Sequence, residues 1–482
     1  MKKQDFSFLF ILFHFIGFSQ SELSDFIFQK CTSEEVKHAQ LGVSIFDVDE
    51  GVLLAGYNHD KSFVPASSLK LITSYIALEK LGKDYKFVTK LAYSGVIVDS
   101  ILQGNIYIIG SGDPSLGSKR FSHKLQFIEL IPYLSNKIKL AGIKKIEGSI
   151  ISDESIFESY PISPTWQWDD LGTYYASGAW GINLNENEYE VWYNSNKPQG
   201  ENADILKIYP TIPDLKITSE VVIDNENNDE KAYVFGGPYT YDKRIVGTIP
   251  QSRNAYKIRG SMPDPPRYLA AALQQELHKK GINSNSYITQ YYNQGSSTGL
   301  TIIDSLVSDP LHELVKMANY YSVNLYSESF LKILGYKFGK RGAGSEGIKV
   351  VENFFKESGI DHLVLNMEDG SGLSVRNRVS PYLLSRLLYH QIKKHGFDYV
   401  AEYLPKSGEV GTVRRLLKTS PAFGKVWMKS GSMNQIMSYT GIMKAKSGKW
   451  ISFSIMSNGY TQKSAEMRKW IEITIEGIYL KS

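Results

Sequence analysis

The chain has 482 residues, more than one ordinary core accommodates, which indicates about two to three domains. Apolar residues make up 42% and charged residues 22%, values close to those of soluble globular proteins, so neither a disordered nor a fibrous class is indicated. The 54 basic and 50 acidic residues leave a net charge of only +4 without long basic runs, which argues against nucleic acid as a partner.

The N-terminus has the pattern of a signal peptide. Lys2 and Lys3 precede an apolar run over residues 6–18 that is too short to span a bilayer, and small and polar residues follow at 19–21. We therefore expect residues 1–20 to be removed on export, which predicts a secreted, periplasmic protein; a buried N-terminal strand is the alternative. Cys31 is the only cysteine, which excludes an internal disulfide and a multi-thiolate metal site. With no H-E-x-x-H motif either, no metal and no cofactor are predicted.

Regular elements are predicted first near the N-terminus. Apolar and polar residues alternate over 42–57 around a turn at 47–51, which predicts a β-hairpin. Pro65 and Ala66 then precede a helical pattern that ends near Gly82.

The texture changes between about residues 85 and 300. Short strand-like runs such as 104–110 and 233–237 alternate with turn residues, which predicts a β-rich region. The polar tract 224–231 predicts an exposed loop, and the Trp and Tyr cluster over 166–180 indicates a separately packed subdomain.

Helical patterns return from Leu311, and strands follow near the C-terminus. The predicted elements are helices from 311, at 347–357, 381–395 and 462–480, and strands at 424–428, 437–443 and 450–457. Because similar material lies at both ends of the chain, the β-rich middle is predicted to be an insertion.

Ser67 and Lys70 form an S-x-x-K motif at the start of the first predicted helix. Three residues are nearly one helical turn, so both side chains lie on one face and the lysine amine can reach the serine hydroxyl. A serine nucleophile needs an adjacent base of this kind, and the helix N-terminus can stabilise an oxyanion. Ser329 and Lys332 form a second copy, but they lie inside a predicted helix, where we expect ordinary helix surface.

A serine and an amide form the next motif, Ser322-Val323-Asn324. The S-x-N pattern also occurs at 252–254 and 432–434, but only the copy at 322 lies at a break in a helical segment. There the hydroxyl could relay a proton to a leaving nitrogen, and the amide could bind a substrate carbonyl.

The third motif, K-S-G, occurs three times, at 406–408, 429–431 and 446–448. The first copy lies in a loop-like stretch and the third in a tight turn. The middle copy continues an apolar strand, so its backbone could pair with an extended peptide while Lys429 and Ser430 meet a carboxylate.

The ordered set S-x-x-K, S-x-N and K-S-G resembles the signature of the penicillin-binding proteins and serine β-lactamases. The surrounding blocks are similar to those of the class C low-molecular-mass penicillin-binding proteins, the penicillin-binding protein 4 type, which are D-Ala-D-Ala carboxypeptidases and endopeptidases. These blocks are PASSLK at 65–70, GSGDPSL at 110–116, SVNLYSE at 322–328, DGSGLS at 369–374 and MKSGSM at 428–433. The long separation between Ser67 and Ser322 favours the same branch, because β-lactamases have no large domain there.

The resemblance implies an α/β (α+β) fold: a transpeptidase/β-lactamase-like domain with an antiparallel sheet flanked by helices, split by an inserted β-rich domain that carries a nested subdomain. The implied catalytic domain comprises 21–84 and 305–482, the inserted domain 85–160 and 242–304, and the nested subdomain 161–241.

The resemblance also implies a role for each matched residue. Ser67 would be the acylated nucleophile, Lys70 its base, and the oxyanion hole would use the backbone N–H groups of Ser67 and Ser432. The remaining catalytic and substrate-binding candidates are Ser322, Asn324, Lys429, Ser430, Gly431, Asp153, Arg376 and Asn434. Arg376 is offset by one position from the arginine of relatives, and Asn434 stands where a glutamine can occur, so both depart from the family pattern.

The expected substrates are peptidoglycan stem peptides, with β-lactam antibiotics as covalent inhibitors. A serine β-lactamase, with Glu186 as a water-activating base, and a non-catalytic wall-binding protein are the alternatives. The sequence leaves open the balance of carboxypeptidase and endopeptidase activity, homodimer formation, and peripheral association with membrane or wall.

Overall fold

The structure is a computed structural model that describes residues 22–226, 231–252, 254–291 and 299–482. The predicted signal peptide and the centre of the polar tract at 224–231 lie outside these residues. Within the described ranges, no helix combines the length and the apolar character that a bilayer crossing requires.

The helices of the described chain are interleaved with strands from end to end. In chain order the helices are α1 (22–31), α2 (Lys70–Leu81), α3 (Phe127–Leu140), α4 (Pro265–Lys279), α5 (Leu311–Tyr321), α6 (Asn324–Phe338), α7 (Gly344–Ser358), α8 (Pro381–His395), α9 (Phe397–Glu402) and α10 (Ser464–Lys481). The strands are β1 (Gln40–Asp47), β2 (Val52–Tyr57), β3 (Val88–Tyr93), β4 (Val96–Val98), β5 (Ile101–Gln103), β6 (Ile106–Ile109), β7 (Lys145–Ile146), β8 (Ile150–Asp153), β9 (Glu188–Asn194), β10 (Asp204–Tyr209), β11 (Lys216–Ile223), β12 (Lys231–Phe235), β13 (Asp242–Ile249), β14 (Tyr256–Ser261), β15 (Tyr287–Gln290), β16 (Thr301–Val307), β17 (Val426–Met433), β18 (Ile436–Lys444) and β19 (Trp450–Asn458).

The elements predicted near the two ends of the chain are confirmed. The first hairpin is β1–β2, and the helix after Pro65 is α2, preceded by a 3₁₀ turn over Ala66–Leu69. The break at Ser322 separates α5 from α6. The β-rich prediction for the middle missed α3 and α4. Both contain prolines that act as breakers in a sequence pattern, although the two that open α4 occupy first-turn positions where proline is favoured.

The chain divides into two compact units. The first comprises the described residues through Lys80 together with Val315–Val323 and Val351–Ser482, and the second comprises Leu81–Leu314 with Asn324–Val350. The four-part division predicted from the sequence stays a prediction.

The first unit is built on a five-stranded sheet in the order β17-β18-β19-β1-β2, antiparallel throughout. Strand β1 is buried along nearly its whole length because both faces of the sheet are covered. Val43 and Ile45 pack with apolar residues of α1 and α10. On the alternate face Ser44 shares a hydrogen bond with Ser385 of α8 at 2.7 Å. Helices α8 and α10 therefore cover opposite faces of this sheet.

Cys31 ends α1 inside the core of the first unit. The side chain is buried, and burial raises the pKa of its thiol to about 12. It is a free cysteine.

The second unit contains a mixed five-stranded sheet in the order β15-β8-β6-β3-β16. Helices α3 and α4 share a hydrophobic core with it, contributing residues such as Leu134 and Leu273, while the sheet contributes Ile108 and Ile150. A small sheet, β4-β5-β7, adjoins this core through Leu102 and Ile146. Two three-stranded sheets, β10-β9-β14 and β11-β13-β12, enclose a further core of their own.

Candidate active site

Ser67 lies in a strained turn at the entrance to α2. The preceding residue, Ala66, has φ +47°, a left-handed conformation that is costly for a residue with a Cβ. Behind the turn, a Cβ added to Gly372 would lie only 1.9 Å from the Ala66 carbonyl oxygen, so only glycine fits there. The surrounding backbone therefore holds Ser67 at the helix entrance with its side chain partly exposed.

Lys70 is the nearest base to the Ser67 hydroxyl. Its side chain is fully buried, and its Nζ donates to Ser67 Oγ at 2.9 Å and to the Ser371 carbonyl at 2.6 Å. The second bond fixes the amine on one side, so the lysine cannot swing away from the serine. This is the arrangement that the S-x-x-K motif predicts.

Asp369 organises the loop that supplies the Ser371 carbonyl. Its carboxylate is buried and accepts hydrogen bonds from the backbone N–H of Gly372 at 2.8 Å and of Ser374 at 2.6 Å, and from the Asn377 amide at 2.9 Å. Asp369 is therefore a positioning residue for Lys70. The sequence quoted it only as part of the DGSGLS block and assigned it no role.

Ser322 and Lys429 form a second hydroxyl–amine pair. Ser322 has φ +58° in the break between α5 and α6, and Lys429 Nζ donates to its Oγ at 2.9 Å and to the Ser430 carbonyl at 2.6 Å. Lys429 is fully buried. Burial, with a further contribution from the positive charge of Lys70, holds the pKa of the Lys429 amine well below its ordinary value.

Strand β17 passes very close to the Ser67 turn. A Cβ added to Gly431 would lie 2.4 Å from Ser438 Oγ, 2.7 Å from the Pro65 carbonyl and 2.9 Å from the Ser67 backbone nitrogen. Ser438 Oγ donates to the Pro65 carbonyl at 2.6 Å, which ties β18 to the same turn. The K-S-G glycine is thus required by a close backbone approach.

Strand β17 is an edge strand of its sheet, and its two halves differ. Val426 and Met428 pair with the segment Pro405–Ser407 through Ser407 N–H to the Val426 carbonyl at 2.9 Å and Met428 N–H to the Pro405 carbonyl at 3.0 Å. Beyond Met428, the described backbone hydrogen bonds include none on this edge. The half that carries K-S-G can therefore accept an extended peptide as a further strand.

A cleft of about 390 Å³ opens at this half of β17. Four of the residues identified from the motifs line it, namely Ser67, Ser322, Ser430 and Ser432. The other lining residues are Thr412, Arg414, Arg415, Leu416, Met437, Tyr439 and Arg468. The sequence motifs did not point to the three arginines, because no fixed spacing links them to Ser67.

The structure leaves four predicted site residues outside this group. Asn324 and Asp153 belong to the second unit, where Asn324 Nδ2 donates to the Tyr175 carbonyl at 2.8 Å and Asp153 is buried at the end of β8. In the first unit, Arg376 and Asn434 are exposed, and neither is among the residues that line the cleft. The functions predicted for all four stay predictions.

The second S-x-x-K motif differs from expectation. Ser329 does lie inside a helix, but the prediction that the motif is helix surface was wrong, because Ser329 is fully buried and Lys332 nearly so. Lys332 Nζ donates to the carbonyls of Tyr160 at 2.6 Å and Ala179 at 3.0 Å. This lysine thus satisfies buried backbone carbonyls within the second unit.

Glu186, the residue considered as a water-activating base, has other partners. Its carboxylate accepts hydrogen bonds from Ser118 Oγ at 2.7 Å and Arg120 Nε at 2.7 Å within the second unit. The described residues also contain no group of three or more His, Cys, Asp or Glu side chains that could hold a metal ion.

Comparison with known proteins places these motifs in context. Residues 24–477 match the D-Ala-D-Ala carboxypeptidase 3 (S13) family. The D-alanyl-D-alanine carboxypeptidase DacB of Haemophilus influenzae is 25% identical over 462 residues, which are 94% of this chain and 92% of that protein. The D-alanyl-D-alanine carboxypeptidase of Actinomadura sp. strain R39 is 24% identical, over 87% of this chain and 78% of its own length.

Solved structures share the fold. The crystal structure of penicillin binding protein 4 from Haemophilus influenzae superposes with a TM-score of 0.82 at 24% identity, covering 96% of this chain and 99% of that one. The same protein complexed with a β-lactam gives a TM-score of 0.76 at 23% identity, with the same coverage. The predicted fold class is therefore confirmed. With the family match spanning nearly the whole sequence, the chain belongs to the D-Ala-D-Ala carboxypeptidase 3 (S13) family.

Proposed function

We propose that this protein is a penicillin-binding, serine-type D-Ala-D-Ala carboxypeptidase and endopeptidase that cleaves peptidoglycan stem peptides through an acyl-enzyme on Ser67. The observation that carries the proposal is the hydrogen bond from the buried Lys70 amine to the partly exposed Ser67 hydroxyl, at the wall of a cleft. Membership of the S13 family supplies the substrate class.

Acylation follows from this geometry. Ser67 Oγ attacks the carbonyl carbon of the penultimate D-Ala while its proton passes to the neutral Lys70 amine, so that an O–C bond forms. The backbone N–H groups of Ser67 and Ser432 are proposed to stabilise the oxyanion. The C–N bond then breaks, the departing amine takes a proton from Ser322, and the proton that Lys70 accepted restores the Ser322 hydroxyl, which Lys429 holds in place. Water hydrolyses the ester in the second half of the reaction.

The electrostatics of the two lysines favour this proton transfer. Two ammonium groups in one buried site repel each other, so the doubly protonated state is disfavoured. Burial is the main cause of the lowered pKa of Lys429, and this repulsion from Lys70 adds to it. With Lys429 neutral, the proton that Lys70 accepts from Ser67 creates the only ammonium of the pair, and Lys70 can later return that proton toward the leaving nitrogen.

Export to the periplasm is part of the proposal, since peptidoglycan lies outside the cytoplasmic membrane. The pattern of charged, apolar and small residues over 1–20 supports removal of a signal peptide. Homodimer formation and peripheral attachment to membrane or wall stay predictions.

A labelling experiment with two matched serine variants tests the nucleophile. Benzylpenicillin is incubated with the purified protein, and the covalent adduct is located by intact-mass measurement and peptide mapping. We expect an adduct on the peptide that contains Ser67, its loss in Ser67→Ala, and full labelling of Ser329→Ala, which removes the serine of the other S-x-x-K motif. An adduct that persists in Ser67→Ala would contradict the proposal.

Turnover separates the proposed enzyme from a β-lactamase on the same fold. We expect nitrocefin to acylate the protein in roughly stoichiometric amounts and to be released slowly. Sustained hydrolysis at many cycles per second would instead assign the chain a β-lactamase activity.

A further inference from the structure

Three arginines line the cleft beside Ser67 without a carboxylate partner. Arg414 and Arg415 follow the 3₁₀ turn Gly411–Val413, and Arg468 lies in the second turn of α10. Among the described residues none of the three takes part in an ion pair, and no acidic side chain lines the cleft. The cleft therefore carries positive charge that its own walls do not neutralise.

These arginines lie on the wall of the cleft that carries Ser430. The Ser430 hydroxyl donates to Thr412 Oγ1 at 2.7 Å, and Thr412 precedes Arg414 by two residues. Across the sheet Ser430 pairs with Tyr439. Tyr439 and Arg468 both line the cleft, so Arg468 belongs to the same wall as Ser430. Its charge opposes the rise in the pKa of Tyr439, to about 12, that burial causes.

Glu472, whose charge acts on the Tyr439 side chain, already has other partners. Glu472 Oε1 accepts a hydrogen bond from the Leu417 backbone N–H at 3.3 Å, and its Oε2 lies 3.8 Å from Lys469 Nζ. Glu472 therefore joins α10 to the segment that carries Arg414 and Arg415, and it forms no ion pair with Arg468.

The charge on this wall exceeds what one terminal residue requires. A leaving D-Ala brings a single carboxylate, and Ser430 with Lys429 beneath it is placed to meet that group. Three guanidinium groups suit a ligand with further carboxylates, because each binds a carboxylate through a planar pair of donors.

We propose that Arg414, Arg415 and Arg468 form a specificity-determining wall that binds a second carboxylate on the leaving part of the substrate. This inference rests on the proposed function. The preferred substrate is then a cross-linked peptide, whose leaving amine belongs to another acidic stem peptide, rather than a terminal D-Ala. The sequence left this balance between endopeptidase and carboxypeptidase open.

The test compares two substrates on the same enzyme. Purified cross-linked muropeptide dimer and linear pentapeptide muropeptide are digested separately, and kcat/KM is measured for the wild type, Arg415→Gln, Arg468→Gln and Lys418→Gln. Lys418→Gln is the matched control, because it removes one positive charge from the segment that carries Arg415. Lys418 itself is exposed and does not line the cleft.

We expect Arg415→Gln and Arg468→Gln each to lower kcat/KM for the dimer by about tenfold, because each loses one charge-assisted hydrogen bond to the substrate. The value of kcat/KM for the pentapeptide should change less than about threefold. The dimer rate of the wild type should also fall with added salt more steeply than the pentapeptide rate. Lys418→Gln should alter neither substrate. Parallel losses on both substrates, or unchanged dimer cleavage, would overturn the inference.

Two further outcomes separate this inference from its basis. If Arg376→Gln lowers dimer cleavage and the cleft arginine variants do not, the second carboxylate is bound by the residue that the family resemblance indicated, and the inference fails. Benzylpenicillin labelling of Ser67 is measured in the same samples. Absence of the adduct in the wild type refutes the proposed function itself, whereas an intact adduct with no substrate discrimination refutes only the role of the arginines.

Discussion

Replacement of Gly431 by alanine should slow acylation strongly without unfolding the protein. The added Cβ would lie 2.7 Å from the Pro65 carbonyl and 2.9 Å from the Ser67 backbone nitrogen, and real Cβ atoms essentially never approach other atoms within 3.0 Å. Neither backbone atom can rotate away, so β17 must retreat by at least a few tenths of an ångström, and by about 0.5 Å or more for an ordinary contact. The Ser432 N–H moves with the strand, away from the proposed oxyanion position.

The magnitude follows from the loss of one preorganised donor. Removal of such a donor typically lowers kcat by about 10²–10³-fold, so we expect a reduction of that order in the acylation rate constant. The assay is stopped-flow or timed labelling with a fluorescent penicillin, combined with a thermal melt. Gly344→Ala is the matched control, because its Cβ would meet nothing closer than 4.0 Å. Acylation of Gly431→Ala at the wild-type rate would refute the link between this close approach and the oxyanion hole.

Three further substitutions test the buried groups. Lys429→Met should lower penicillin acylation by about 10²–10⁴-fold yet raise the melting temperature, since folding no longer expels a proton from a buried amine whose pKa is lowered. A lower melting temperature would contradict this. Asp369→Asn should lower the free energy of unfolding in urea by about 2–3 kcal/mol and slow acylation about tenfold, because the new amide N–H₂ then faces backbone N–H donors. An unchanged free energy of unfolding would show that the loop does not depend on the carboxylate. Burial raises the pKa of Glu154 to about 8. The folded state therefore retains a proton that the unfolded chain loses above about pH 4.5, so the free energy of unfolding falls as the pH rises from about 4.5 to about 8. Glu154→Gln should remove this pH dependence of stability in thermal melts from pH 5 to 8, and its melting temperature should exceed that of the wild type most near pH 8. Melting temperatures of the two proteins that change in parallel with pH would refute the raised pKa of Glu154.

The reactive side chains could be predicted from the sequence where the geometry of a single helix or strand determines their position. The spacing of Ser67 and Lys70 guarantees proximity on one helical turn, and the structure places the two side-chain atoms 2.9 Å apart. The choice of Lys429 among three K-S-G copies depended on strand character, and that lysine bonds Ser322. By contrast Lys406, of the first copy, forms an ion pair with Glu409 at 2.8 Å.

The residues that support the site were not predictable in this way. Asp369 acts through three hydrogen bonds to its own loop, and nothing in its spacing from Lys70 shows that the loop returns to α2. Arg468 comes from the last helix and Arg415 from a turn, and only the tertiary fold brings both to one cleft. The burial of Ser329 was also missed, because helix periodicity alone does not reveal that α6 is covered on nearly every side.

The burial of Cys31 makes the chain convenient for site-specific labelling. A thiol with a pKa of about 12 is almost entirely protonated at neutral pH, and the thiolate is the form that reacts with maleimides. A cysteine introduced at the exposed Thr412, on the rim of the cleft, would therefore be modified selectively while the native cysteine is left in place. A fluorophore attached there would report the arrival of a peptide beside Ser67 without any background from the rest of the chain.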